Sequence, residues 1–220
     1  MWCIPKLTPE FKERMEDILT LYAKPYDPRE PVVCLDEKSK QLLADSRPSF
    51  PTVPGKAAIQ DYEYVRKGTA NIFVAVEPLA GQRMTEITEH RKKPDYALFI
   101  ERLITAYANA ATIHLVQDNL NIHFIASLIE AFGLRKALRL WKRLTPHYTP
   151  KHASWLNMAE IEINAIGAQC LDRRIGSIRK LRTEVQACTK RRNERRSTIT
   201  WTFTPQKARE KFPTLYAKTS

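Results

Sequence analysis

Glycine is scarce in this chain. Six glycines are dispersed over 220 residues, so there is no phosphate-cradling loop of the P-loop or dinucleotide type. Cysteine is equally sparse. Cys3, Cys34, Cys170 and Cys188 form no C-x-x-C pair, and none has a histidine at zinc-finger spacing. Scattered single thiols suit a reducing compartment and small apolar packing roles. No apolar run approaches the roughly 20 residues of a membrane span. The opening MWCIPKLTPE lacks the charged-then-apolar order of a signal peptide, so no membrane partner and a cytoplasmic location are expected. The five histidines make no H-E-x-x-H, and there is no G-x-S-x-G elbow. Aromatics are 9% of the chain, thin for a sugar-stacking glycosidase cleft. Acids are also in deficit: 24 Asp and Glu face 36 Lys and Arg, a net charge of +12. That imbalance favours an acidic partner, of which nucleic acid is the commonest.

What is present reads as one large domain with short appendages. Thr8-Pro9-Glu10 is a cap followed by proline at the first helical position. Phe11, Met15, Ile18, Leu19 and Tyr22 then recur at helical spacing to about residue 24. The proline-rich 24–31 reads as a linker. Residues 32–37, VVCLDE, form a short apolar run closing on an acid, the pattern of a strand buried on both faces. A long surface excursion is expected over 38–56. Two β-rich segments, 58–68 and 70–81, predict a hairpin turning at Gly68, which with the first strand would make an antiparallel meander. A helix from Asp95 to about Ala108 precedes a second apolar run, 112–119, that closes on Asp118. Strand, helix and strand of these lengths suit a parallel crossover.

Helices are expected at 122–132 and 134–143, divided by Gly133, followed by an extended edge segment at 144–150 containing Pro146. The next helix starts near Ser154 or Asn157, with Asn157 and Glu160 spaced as a capping box. Its apolar stripe is Leu156, Ala159, Ile163 and Ile166. Glu160 lies on a polar face and Glu162 points nearly the opposite way, so this helix offers a site one glutamate. Residues 173–196 carry ten Lys and Arg against two acids, with an apolar helical stripe of Ile178, Leu181, Val185 and Cys188. This is a docked basic helix whose DNA-contact candidates are Arg173, Arg174, Lys190, Arg191, Arg192, Arg195 and Arg196. An exposed strand is expected over 198–204 and a last helix from Thr204-Pro205.

The chemistry follows from three acids. Asp36 and Asp118 close neighbouring strands, and ligands in open sheets gather at the carboxyl ends of parallel strands. Glu160 comes from a helix across that edge. Three carboxylates at one point would hold two Mg²⁺ or Mn²⁺ ions, which stabilise the attacking and leaving oxygens of phosphodiester cleavage.

The segments VVCLDEKS, DYEYVRKGTANIFVAVEPLAG, VQDNLNIH, HYTPKHASWLNMAEIE and QCLDRRI resemble the DDE-superfamily transposases of bacterial insertion sequences, in the branch related to Tc/mariner elements (the IS six-thirty family). The resemblance runs through nearly the whole chain. It implies an α/β, RNase H-like fold with a mixed central sheet and flanking helices. It also implies that Asp36, Asp118 and Glu160 bind two divalent ions, while Asn119, His123 and Asn157 support them or touch DNA. The implied reaction is water attack at an element end, then attack of the freed 3′-hydroxyl on target DNA. Implied partners are double-stranded DNA, both element ends and target, and further copies of the protein on that DNA. The family's N-terminal helix-turn-helix region is expected to be encoded separately or lost. The chain would then be a truncated copy, one frame of a split gene or an excised fragment. The organisation expected is a helix and linker over 1–31, a catalytic domain over 32–172, and a basic helical extension over 173–220 packed on it. The rival expectation is an inactive DNA-binding remnant.

Overall fold

The apolar run at Val32 becomes the central strand of a five-stranded sheet. The structure, a computed structural model, describes residues 7–47 and 62–216. In chain order the strands are β1 (Val32–Asp45), β2 (Tyr64–Glu77), β3 (Gln82–Thr88), β4 (Ile113–Gln117) and β5 (Leu144–Tyr148). They lie side by side as β3-β2-β1-β4-β5. β2 runs antiparallel to β1 and β3, whereas β4 runs parallel to β1 and β5. The helices are α1 (Pro9–Tyr22), α2 (Lys93–Ala106), α3 (Ile125–Phe132), α4 (Leu134–Trp141), α5 (Ala159–Ile166), α6 (Ile178–Glu194), α7 (Pro205–Lys211) and α8 (Pro213–Tyr216).

Alternation along the strands sends successive side chains to opposite faces. Val33 and Leu35 of β1, Phe73 and Ala75 of β2, and Leu115 of β4 pack against Tyr96, Phe99, Ile100 and Leu103 of α2 and Leu128 of α3. Each such side chain contributes roughly 1.5–3 kcal/mol on burial, enough in sum to hold the β3-α2-β4 crossover down. On the other face Cys34, Val76 and Val116 meet Met15, Ile18 and Leu19 of α1, with Leu156 and Ala159. Further along that face Ile72 and Val74 pack on Ile163 and Ile166 of α5 and on Leu181, Val185 and Cys188 of α6. Cys34 is an inert core thiol, pushed up to about 12 by burial. Thr8 caps α1 by accepting the Phe11 N–H at 3.1 Å.

Several expected boundaries are corrected. β1 does not end at residue 37; it runs on to Asp45 because β2 offers it a partner along nearly its whole length. Asp36 therefore sits within the strand, just past the last residue paired with β4. The part of the expected excursion at 48–56 and the start of the expected first hairpin segment at 58–61 lie outside the described residues. The hairpin turns at Pro78–Gly81, where Gly81 N–H donates to Glu77 O at 3.0 Å, and not at Gly68. Gly68 has φ +96 but lies inside β2, where the register slips between the pairs Gln41–Thr69 and Leu43–Arg66. A bulge used its left-handed freedom. Gly81 has φ +65, and a Cβ there would lie 2.6 Å from the Arg196 carbonyl carbon. No strand forms at 198–204; Ile199, Trp201 and Phe203 pack into the α1 side of the core instead. The edge strand with Pro146 is present as β5, paired on one side to β4.

Candidate active site

Asp36, Asp118 and Glu160 reach one region from three elements: β1, the residue after β4, and the first turn of α5. Asp36 is the point at which their charges meet. Burial pushes its carboxyl up to about 7, and the negative charges of Glu37, Asp118 and Glu160 push in the same direction, against a stabilising hydrogen bond from Glu37 N–H at 2.7 Å. A partly buried acid crowded by three others suits a site that takes up positive charge.

Asp118 is held differently. Burial alone would raise its carboxyl, but the His123 imidazole, the Leu120 N–H and Arg91 outweigh that and hold it below the ordinary range. His123 Nδ1 lies 2.7 Å from Asp118 Oδ1, and Nε2 lies 2.8 Å from Glu37 Oε1. Burial works against the charged imidazole, yet the two carboxylates raise it to about 10. His123 is thus an imidazolium strapped between two acids, and its backbone carbonyl also accepts from Gln117 Nε2 and the Tyr148 hydroxyl.

Glu37 escaped sequence reasoning. It follows Asp36 directly and points to the opposite sheet face, where its carboxylate is completely buried. Its contact with His123 spans 86 residues. An acid next to a candidate ligand in a doubly buried strand was the available signal, since such an acid needs a partner.

Asn157 is buried at 2% exposure and forms no capping box with Glu160. Its Nδ2 donates to Leu35 O at 2.7 Å, and its Oδ1 accepts from Ala159 N at 3.1 Å. It therefore staples the start of α5 to β1 one residue from Asp36. Tyr22 adds a second staple, its hydroxyl donating to Leu156 O at 2.8 Å. Asn119 is exposed beside Asp118.

Glu162 faces away from Glu160, and its partners explain why. Arg192 of α6 grips it with Nε at 2.6 Å and a terminal nitrogen at 2.9 Å. Arg83 of β3 lies 2.9 Å away through Nε, an ion-pair contact without hydrogen-bond alignment. Glu162 and Arg83 are fully buried. Of the basic residues expected to face DNA, Arg192 is thus committed inside the fold. Arg173 pairs with Glu184, Arg174 with Asp45 at 2.9 Å, and Lys190 with Glu194 at 3.9 Å. Arg191 reaches Cys188, while Arg195 and Arg196 are exposed where α6 ends.

Three carboxylates are hard oxygen donors that suit Mg²⁺ or Mn²⁺. Among the described residues no three His, Cys, Asp or Glu side chains enclose an ion by themselves. Mg²⁺ usually keeps several waters and takes substrate phosphate oxygens beside one or two carboxylates.

A mixed sheet of order β3-β2-β1-β4-β5 with helices on both faces is an RNase H-like fold. A family model described as DDE superfamily endonuclease matches residues 31–182. The chain belongs to that family, whose nucleases use divalent metals. No curated protein matches the chain. Among solved structures it resembles the Mos1 mariner paired end complex with Mn, at 16% identity and TM-score 0.56 over 90% of this chain and 60% of that one. The Mos1 transposase paired-end complex with left transposon end gives 14% identity and TM-score 0.57 over 90% and 62%. The Mos1 strand transfer complex gives 15% and 0.53 over 89% and 62%. The chain thus spans less than two thirds of these Mos1 chains. No described helix is long and apolar enough to cross a membrane.

Proposed function

We propose that this chain is the catalytic domain of a transposase, cutting DNA at the ends of an insertion element and joining the freed 3′ end to target DNA. The observation that carries this reading is the placement of Asp36 on β1, Asp118 just after the neighbouring β4 and Glu160 in the first turn of α5, inside the family match over residues 31–182. Bound as a pair, Mg²⁺ or Mn²⁺ would offset charge on the attacking and leaving oxygens.

In this reading the protein's own groups perform the positioning. Asp36, Asp118 and Glu160 supply carboxylate oxygens. His123, backed by Glu37, fixes the angle of Asp118. Asn157 fixes the start of the helix that carries Glu160, and Asn119 faces the incoming strand. Arg191, Arg195 and Arg196, exposed at one end of α6, would add phosphate contacts, and Arg173, Arg174 and Lys190 would do so by exchanging their carboxylate partners. Residues 32–172 act as the catalytic domain, and α6 completes its core from the 173–220 extension. The partners are double-stranded DNA and a second copy bridging two element ends. The likeness to Mos1 paired-end and strand transfer complexes supports the DNA partner and the pairing.

The test is nicking of supercoiled DNA carrying the element ends, with Mn²⁺. Asp118→Ala should abolish cleavage while circular dichroism and melting stay those of a folded protein. Full activity in that variant would refute the assignment. DNA binding by the wild type without any metal-dependent cleavage would favour an inactive remnant.

A further inference from the structure

A cleft of about 790 Å³ opens beside Asp118, between the first two turns of α1 and the 149–154 segment. Asp118 and Asn119 line it, with Arg14 on the α1 side and Lys151 and His152 on the other. Lys151 and His152 are exposed, and neither has a hydrogen-bond or ion-pair partner among the described residues. Arg14 pairs with Glu10 at 2.8 Å, but that glutamate is 70% exposed. Such a pair is weak, and a phosphate could take the carboxylate's place.

The segment presenting these side chains is held in place by backbone hydrogen bonds. Thr149 N–H donates to Gln117 O at 2.9 Å, continuing the β4–β5 pairing, and Ala153 N–H donates to Pro150 O at 3.0 Å. Ala153 is fully buried and anchors the turn. His152 sits at φ 61, left-handed space that a residue with a Cβ enters only at a cost. Glycine would enter it freely. Strain kept at the rim of a cleft, with an imidazole lining that cleft, points to a duty for the side chain. On the basic helix, by contrast, Arg192 is held by the buried Glu162.

We propose that this cleft is the track for the phosphate backbone of the DNA strand that reaches Asp118, with Lys151 and His152 gripping it from one wall and Arg14 from the other. The inference rests on the DNA-cleaving reading above and deepens it by naming the path. Phosphate contacts fix register and carry no sequence information, so this grip is the same for every sequence.

The experiment is fluorescence anisotropy of the full chain with a labelled single strand and with a labelled blunt duplex, in EDTA, across a salt titration. Lys151→Gln and Arg14→Gln should each weaken single-strand binding and flatten the log–log salt slope by about 0.7. His152→Gly should weaken binding several-fold while the melting temperature holds or rises, a combination that a merely structural histidine would not give. Wild-type affinity and slope in Lys151→Gln and Arg14→Gln would overturn the proposal. An effect confined to the blunt duplex would overturn it too, as would failure of the wild-type chain to bind DNA. Metal is absent, so the two readings fail separately. Cleavage with Mn²⁺ by a protein whose binding ignores these residues sinks the track alone. Binding that depends on them without any cleavage sinks the nuclease and leaves the track.

Discussion

Replacing Glu162 tests how the helix bearing Glu160 is held. Glu162 is fully buried between Arg83, also fully buried, and Arg192, which is 15% exposed. Removing one partner of a buried pair leaves an uncompensated charge and costs about 3–5 kcal/mol. Here Glu162→Gln strands two guanidinium groups. Arg83 keeps its bond to Gly81 O at 2.6 Å and its contact with Ser197 O, and Arg192 keeps at most one bond, to the amide oxygen, with an amide N–H facing its second donor. For a chain of this size about 3–5 kcal/mol lowers the melting temperature by roughly 6–20 °C. Thermal and urea denaturation of the metal-free protein measure it. A second variant separates charge from packing: Glu162→Leu with Arg83→Met and Arg192→Met removes all three charges and should recover most of the loss. In the glutamine variant, Mn²⁺ affinity measured below the melting transition should also fall, because rotation of α5 carries Glu160 with it. A Glu162→Gln protein melting within about 2 °C of wild type, a change of under 1 kcal/mol, would refute the reasoning.

Three further outcomes follow from the same structure. Asp36 is neutral-favouring in the fold, its pKa raised from 3.8 to about 7, so its ionisation destabilises the metal-free protein increasingly as pH rises from about 4 to 7. Asp36→Asn, which keeps the acceptor for Glu37 N–H, should stabilise the apo protein above pH 7 by on the order of 2–4 kcal/mol and leave it unchanged at pH 3; equal melting temperatures at pH 8 would count against it. His123, raised from 6.5 to about 10, contributes stability that is complete below about 6.5 and is lost as pH climbs through 10. Glu37→Gln should lower that upper limit, visible as a downward shift of the His123 ring resonance titration in the apo protein. Gly81→Ala should cost more than about 1 kcal/mol, since positive φ is compounded by backbone contact. Gly68→Ala should cost less than Gly81→Ala, roughly 1–2 kcal/mol from positive φ alone, because nothing lies within 4 Å of its Cβ position. Chemical denaturation of both variants would expose a reversed order.

Local pattern carried much of this molecule. The capped helix at 9–22, the apolar runs ending near Asp36 and Asp118, the proline-tolerant edge strand and the opposed directions of Glu160 and Glu162 all depend on neighbours within a few residues. Periodicity and side-chain chemistry report such neighbours directly. The resemblance in VVCLDEKS, VQDNLNIH and HYTPKHASWLNMAEIE points to the same three acids, Asp36, Asp118 and Glu160.

Other features were decided only when the chain closed on itself. Gly68 looks like a turn and is a bulge, because the continuous pairing of β1 with β2 was worth more than a hairpin there. Residues 198–204 alternate like a strand but pair with none, and their aromatics fill the α1 side of the core instead. Arg192 reads as a DNA contact and is instead the counter-ion of a buried glutamate 30 residues away. Glu37 reads as an ordinary charge and braces His123 from behind the sheet. Each of these outcomes is a long-range contact. The free energy of such a contact depends on which partner desolvates it, and no stretch of sequence around the residue contains that partner.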